Sequence, residues 1–511
     1  MAKQRPFPHL PLVEDPAVQS SARLLWDRVA TLHEGVGEEQ AALIAGARAA
    51  EDIPALLQRE QFLFGYDALS PRPKGGPSPF ISPDTTQLTV IGNQYYVRDG
   101  QPVLPIMCHY MEAFSRYTRN ENQVTNELTA IKEAGYTGIR FLDVLNGQPY
   151  WAGREVNPIN VISNGVSVNK TTQYYTKLKN FVSLCKDLGL LVNWSRGDLI
   201  PYSIAHRAEH FAHVGAIANE VGVDAIAVFE GVNEYFENGF NETAASLEGI
   251  SSLVNVFSSQ AGTTMLRALS SPRTAEMLGT LASHTQGVSI AMAHGARGGD
   301  LSLKLNAIKS IRRDYWPGKL VWQDEPPGTT SSATTNQHEM DDQGLALMAV
   351  QSLLHDQAYT VMLKNAVRWN DTLADDVGFR TVPAAIAQLP NDLMQWPITK
   401  AWERPGEPVE FIATTGFPGN PASPAPYIDQ RINLSQGKIA AVMYGTSSSN
   451  PGGTRIRSTN RRWVGSAYKF TNDSPYVEEF DTFDLEKDEE QTLDYDPGAV
   501  RGCLLLGEIG E

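Results

Sequence analysis

The feature that most limits how this chain can fold is an eightfold alternation. Between residues 103 and 394, short apolar runs of strand length take turns with amphipathic stretches of helical period. The runs at 103–108, 138–144, 190–194, 225–232, 264–269, 288–293, 320–323 and 359–365 read as strands. Between and after them come segments with apolar residues at helical spacing: Val124, Leu128 and Ile131 after the first run, and Leu178, Phe181, Val182 and Cys185 after the second. Further helices are expected over 203–219, 250–257, 301–315, 339–355 and 384–394. Such a repeat predicts a parallel sheet with helices packed outside it, and eight units are the number that closes into a barrel. An open doubly wound sheet rarely needs so many, and no glycine-rich phosphate fingerprint follows the first strand.

The ends of the chain have a different texture. Residues 20–32 and 37–64 are rich in Ala, Leu, Glu and Arg at helical spacing, and 69–83 is heavy in Pro, Gly and Ser. These predict a helical arm with a linker over 1–85, its apolar stripe of Leu24, Leu25, Val29 and Leu32 needing a partner. A hairpin signal opens the barrel segment: Leu88 to Ile91, a Gly92-Asn93 turn, then Tyr95 to Val97 and Asp99-Gly100. After 398 the helical pattern stops. Strand-like runs at 409–414, 439–444, 463–470, 477–483 and 500–506, separated by turn residues, predict an antiparallel, sandwich-like β domain over 399–511. The expected architecture is thus α/β: a (β/α)8 TIM barrel over 86–398 with a helical arm before it and a β domain after it.

A net charge of -16 with no compensating Lys/Arg block argues against a nucleic-acid or anionic-membrane partner. Cys108, Cys185 and Cys503 are few, odd in number and far apart, and read as reduced core thiols. The opening residues are basic without a following apolar run, so no secretory signal is expected, and no apolar stretch reaches membrane-spanning length. The expectation is a soluble protein made in the cytoplasm.

Two segments concentrate the chemistry. Phe229-Glu230-Gly231-Val232-Asn233-Glu234 and Leu320-Val321-Trp322-Gln323-Asp324-Glu325-Pro326 are apolar, strand-like runs that each end on a glutamate. In a (β/α)8 barrel all strands open onto one face, so glutamates distant in sequence can meet across a cleft. Two facing carboxylates are the minimum equipment for glycoside hydrolysis. On these residues the barrel resembles the clan A glycoside hydrolases, retaining enzymes with Asn-Glu ending the fourth strand and Glu ending the seventh. The resemblance implies Glu234 as acid/base, Glu325 as nucleophile and Asn233 as a ligand of the sugar hydroxyl beside the anomeric carbon. It further implies Arg140 on strand two beneath the nucleophile, and Trp369 after strand eight as the platform of the innermost sugar. His294, ending strand six, fills the histidine position of the family, but the family's strand-six tyrosine and strand-three histidine are absent. Tyr110, His109 or Arg196 are the candidates to substitute.

Other residues rank lower. Trp151 and Trp194, placed after strands two and three, are candidates to stack on sugar rings or else simply pack. His206, His210 and His213 fall on one helical face, but the glutamate of the zinc-protease pattern is missing, so no metal is expected. Lys364 is the one attractive Schiff-base lysine for an aldolase-like alternative. The resulting expectation is a retaining β-glycoside hydrolase of poly- or oligosaccharides that needs no cofactor. The rival expectation is a glycan-binding or structural protein of a larger particle, such as a virion or phage tail, assembled through the arm.

Overall fold

The computed structural model describes residues 88–91, 95–146, 151–197, 202–231, 233, 255–261, 266–268, 290–294, 320–325, 342–362, 378–396, 398–399, 409–413, 427–433, 435–444, 454–458, 462–471, 473–493 and 502–510. The expected helical arm lies outside them, as do the expected helix at 301–315 and Lys364.

A three-stranded antiparallel meander comes first: β1 (Thr89–Ile91), β2 (Tyr95–Arg98) and β3 (Gln101–Val103). Its second turn is made by Asp99 and Gly100, both at positive φ, as the Asp-Gly pair predicts. Tyr96 is fully buried and packs edge-on against Trp322, 5.5 Å between ring centroids, near the amino end of the seventh barrel strand. Val103 therefore belongs to the meander and not to the barrel, because Pro105 breaks the run before the first barrel strand starts.

The eight barrel strands are β4 (Ile106–His109), β5 (Gly138–Leu142), β8 (Leu191–Ser195), β9 (Ile226–Glu230), β10 (Leu266–Ala268), β11 (Ala291–His294), β12 (Val321–Glu325) and β13 (Gln357–Met362). Every pairing among them is parallel, and their order is β10-β9-β8-β5-β4-β13-β12-β11. That is the cyclic order of a (β/α)8 barrel, read from strand five back through strand one to strand six. Between β5 and β8 a hairpin, β6 (Val161–Ser163) and β7 (Val166–Val168), emerges from the second βα loop. A Cβ on Gly138 would strike the Leu191 carbonyl, so glycine is what lets strand two begin so close to strand three.

The helices follow their apolar spacing. In α1 (Ala113–Tyr117) and α2 (Glu121–Glu133) the latter buries Val124, Leu128 and Ile131, and Asn120 caps it by accepting from the Gln123 N–H at 3.1 Å. Helix α3 (Tyr174–Asp187) buries Leu178, Phe181, Val182 and Cys185. Helix α4 (Ile204–Val221) is capped by Ser203, and α5 (Asp342–Leu354) links strands seven and eight. The last expected helix is split: α6 (Thr381–Ile386) ends before Pro390, and only a single 3-10 turn, Leu393–Gln395, follows. No helix among the described residues is long and apolar enough to cross a membrane. All three cysteines are buried and free.

The carboxyl-terminal region holds a six-stranded sheet and a three-stranded sheet. The larger contains β14 (Ile398–Thr399), β16 (Tyr427–Asn433), β17 (Lys438–Tyr444), β19 (Trp463–Phe470), β20 (Val477–Leu485) and β22 (Gly502–Ile509); the smaller contains β15 (Val409–Ala413), β18 (Thr454–Ser458) and β21 (Glu490–Leu493). Period-2 alternation gives the larger sheet two buried faces. Ala440, Val442 and Leu504 join the barrel's core, whereas Ile439, Ala441, Cys503 and Leu505 join a second core around Trp463 and Phe483. Arg431 of β16 is wholly buried at the seam. It donates to the carbonyls of Leu354 (2.7 Å), Leu393 (2.9 Å) and Trp396 (3.1 Å), and pairs with Asp356.

Candidate active site

Arg140 is the centre of the carboxyl end of the barrel. Its neighbours Ile139 and Phe141 alternate outward, Phe141 lying 4.9 Å from Phe181 of α3, so Arg140 faces into the barrel. There it is fully buried. Its Nε and Nη2 donate to the two carboxylate oxygens of Glu230, each at 2.9 Å, in a bidentate fork. Nη2 also donates to Asn233 Oδ1 at 2.6 Å and lies 3.4 Å from Asp324 Oδ2, while Nη1 lies 3.2 Å from His109 Nδ1. One guanidinium thus ties together the exits of strands one, two, four and seven. Glu230 and Asp324 are both 0% exposed, a burial that carboxylates tolerate only when paired.

Asn233 and Arg140, two of the residues picked from sequence, are therefore in direct contact. Glu234 and Trp369 lie outside the described residues. Glu325 ends β12 and His294 ends β11, and the backbones of these two residues are register partners. The register slips between Ala293 and His294, so that strand seven accommodates an extra residue, Asp324. Such bulges suspend the strict alternation of side chains along a strand. Sequence reading passed over Glu230 and Asp324 in favour of the terminal glutamates. The signal available was an acid inside an otherwise apolar strand, which a buried site must pair.

A second cluster sits at the exits of strands two and three. Asp143 Oδ2 accepts from Trp194 Nε1 at 2.9 Å and from His210 Nε2 at 3.1 Å, and it pairs with Arg196. Burial raises the Asp143 pKa, yet Arg196 and His210 outweigh it and hold the carboxyl below its ordinary range. Burial pushes His210 down and favours the neutral ring, against the opposing pull of Asp143. Trp194 lies within β8, fully buried against Phe141, so it is a packing and hydrogen-bonding residue and not an exposed sugar platform. His213 stacks on Tyr175 at 4.2 Å, and among the described residues no group of three or more metal-ligating side chains gathers.

The third cluster lines the exit of strand one. Tyr110 is buried and donates to Glu127; it does not line the barrel mouth as a free hydroxyl. Glu112, also buried, takes a hydrogen bond from Arg154 at 2.6 Å, and the Arg154 guanidinium lies 5.1 Å from the ring centre of Trp151. Trp151, 9% exposed, belongs to the second βα loop, which the Arg154–Glu112 bond ties to the exit of strand one. Burial pushes both Glu112 and Glu127 up to about 7. Between their ordinary value of 4.5 and 7 these two carboxyls keep protons in the folded chain that they release in the unfolded one, so their contribution to stability falls as pH rises across that window, while the lowered His210 contributes in the opposite direction. Glu112→Gln is expected to remove about half of that slope, since one of two such carboxyls is gone. Denaturation midpoints measured across the window check this, and a slope identical to the parent's would sink it.

No protein-family model matches this sequence, and no curated protein sequence matches it. Solved structures do. The chain superposes on a structure described as a glycoside hydrolase with a TM-score of 0.53 at 12% identity, over 83% of this chain and 96% of that one. It superposes on the alpha-L-arabinofuranosidase of Thermotoga maritima, in its arabinose complex, with a TM-score of 0.50 at 12% identity, over 80% of this chain and 98% of that one. The fold is one that glycoside hydrolases use. At this identity the likeness is one of fold.

Proposed function

We propose that this protein is a retaining glycoside hydrolase in which Glu234 is the general acid/base and Glu325 the nucleophile. The observation that carries this reading is the reach of Arg140. It contacts Asn233 and Asp324, the residues immediately before the two glutamates, and so draws the ends of strands four and seven to one centre inside the barrel mouth. In the first step Glu234 protonates the departing oxygen while Glu325 attacks the anomeric carbon; in the second, Glu234 takes a proton from water and the glycosyl-enzyme is released. The guanidinium, which reaches Asp324 just before the proposed nucleophile in sequence, is proposed to supply the positive potential that keeps one carboxylate ionised while its partner stays protonated. Asn233, held by Arg140, is proposed to bind a sugar hydroxyl. His294, Trp369 and Trp151 are proposed to line the sugar sites.

The test is a panel of aryl β-glycosides, aryl α-L-arabinofuranosides and β-linked polysaccharides, with the anomer of the first product read by NMR. Release with retained configuration is expected. An inverted first product would exclude the double displacement, and no release from any member would overturn the hydrolase reading.

A further inference from the structure

The strand-three exit carries machinery that the two glutamates do not account for. Arg196 follows β8, and its backbone carbonyl accepts the Asn233 N–H at 2.9 Å. The residue before the proposed acid/base is therefore gripped twice, by the Arg196 backbone and by the Arg140 side chain. Arg196 is itself immobilised. Its side chain is fully buried, pairs with Asp143, and lies between the rings of Phe229 (4.5 Å), Trp194 (5.2 Å) and Phe211 (5.5 Å). The Asp143 N–H donates to the Ser195 carbonyl at 3.2 Å, and a Cβ on Gly197 would collide with the Val144 carbonyl, so the exits of strands two and three are pressed together. Helix α4 locks the arrangement from outside. His210 Nε2 donates to Asp143, and Tyr175 Oη lies 3.4 Å from His210 Nδ1. With the ring neutral and protonated at Nε2, the tyrosine is the donor to Nδ1.

We infer that Asp143, Arg196 and His210 form a positioning device for Glu234: by fixing the Arg196 carbonyl they fix Asn233, and with it the carboxyl that protonates the leaving group. The inference rests on the assignment of Glu234 proposed above. The cluster touches no reacting atom, so its action shows only in the step that needs the acid. Displacing a catalytic group by about 1 Å can cost on the order of 10²-fold.

The experiment uses the full chain and a series of aryl glycosides whose leaving groups run from 2,4-dinitrophenoxide, which departs without protonation, to phenoxide, which requires it. The value of kcat/KM reports departure of that group. His210→Gln is expected to lower kcat/KM on the phenyl substrate about 10-fold, a fraction of what a general acid contributes, while changing it less than about 2-fold on the dinitrophenyl substrate. Tyr175→Phe removes only the hydroxyl facing Nδ1 and is expected to give the same pattern more weakly; it stands in if His210→Gln does not fold. Equal losses on both substrates, or kinetics unchanged in a folded variant, would overturn the positioning role. Glu234→Ala run beside them separates the two assignments. If it shows the leaving-group dependence and the His210 and Tyr175 variants do not, the positioning role alone fails; if it shows none, the acid assignment fails and takes the positioning role with it.

Discussion

Glu325→Gln is expected to leave the chain folded and to lower turnover by on the order of 10⁴-fold or more, because removing one member of a nucleophile–base unit disables nearly all of that unit's catalysis. The substitution is isosteric and falls at a strand end, so thermal unfolding should be close to the parent's. Glu234→Ala should differ in kind. On a substrate with an activated leaving group the glycosyl-enzyme still forms, and azide, which needs no general base, should accelerate its breakdown and yield a glycosyl azide of retained configuration. Azide should give no retained product with Glu325→Gln. Near-normal activity in both variants would exclude them as the catalytic pair, and a retained azide from the Glu325 variant would reverse the two roles.

Arg140→Met is expected to destabilise the fold by about 3–5 kcal/mol, the typical consequence of leaving buried charges without their partner. Glu230 and Asp324 stay fully buried when the guanidinium is lost. The same change frees Asn233 from one of its two anchors, so hydrolysis should fall even where the protein remains folded. Denaturant midpoints measure the first effect and kcat/KM the second. Adding Glu230→Gln to Arg140→Met should recover part of the stability, since the double variant buries one charge fewer. A loss under about 1 kcal/mol would show that the pair is no more costly to break than one on the surface, and the buried centre described above would be wrong.

The alternation of apolar runs made the barrel legible because parallel strands buried on both faces must be apolar. Each expected barrel strand has its counterpart, from β4 to β13, the first of them shortened where Pro105 intervenes. The β region was less legible. β16, with the sequence Tyr-Ile-Asp-Gln-Arg-Ile-Asn, and β18, Thr-Arg-Ile-Arg-Ser, carry charged residues where a strand reader looks for apolar ones. Arg431 is charged in sequence and core in the fold, because three carbonyls and Asp356 receive it. At the site, Arg140 and Asn233 were singled out by the resemblance to the clan A enzymes, and the structure puts them in contact. The fork from Arg140 to Glu230 was not readable, since a separation of ninety residues hides a pairing that only barrel closure creates. Trp194 failed as a platform for a related reason. Period 2 in β8 puts it on the helix-facing side with Phe141, opposite the barrel interior.

The seam at Arg431 also settles how the molecule comes apart. Burial pushes this guanidinium down to about 9, a measure of how far it has been taken from water. Its partners, the Leu354, Leu393 and Trp396 carbonyls, belong to the ends of barrel helical segments and would lose this donor once β16 peels away. Opening the interface would strand these groups and strip the apolar cover from Ala440, Val442 and Leu504 at once. The barrel and the larger β sheet are therefore expected to unfold together, in one calorimetric transition. A shortened chain that stops near residue 398 is expected to leave an apolar face of the barrel uncovered along α5.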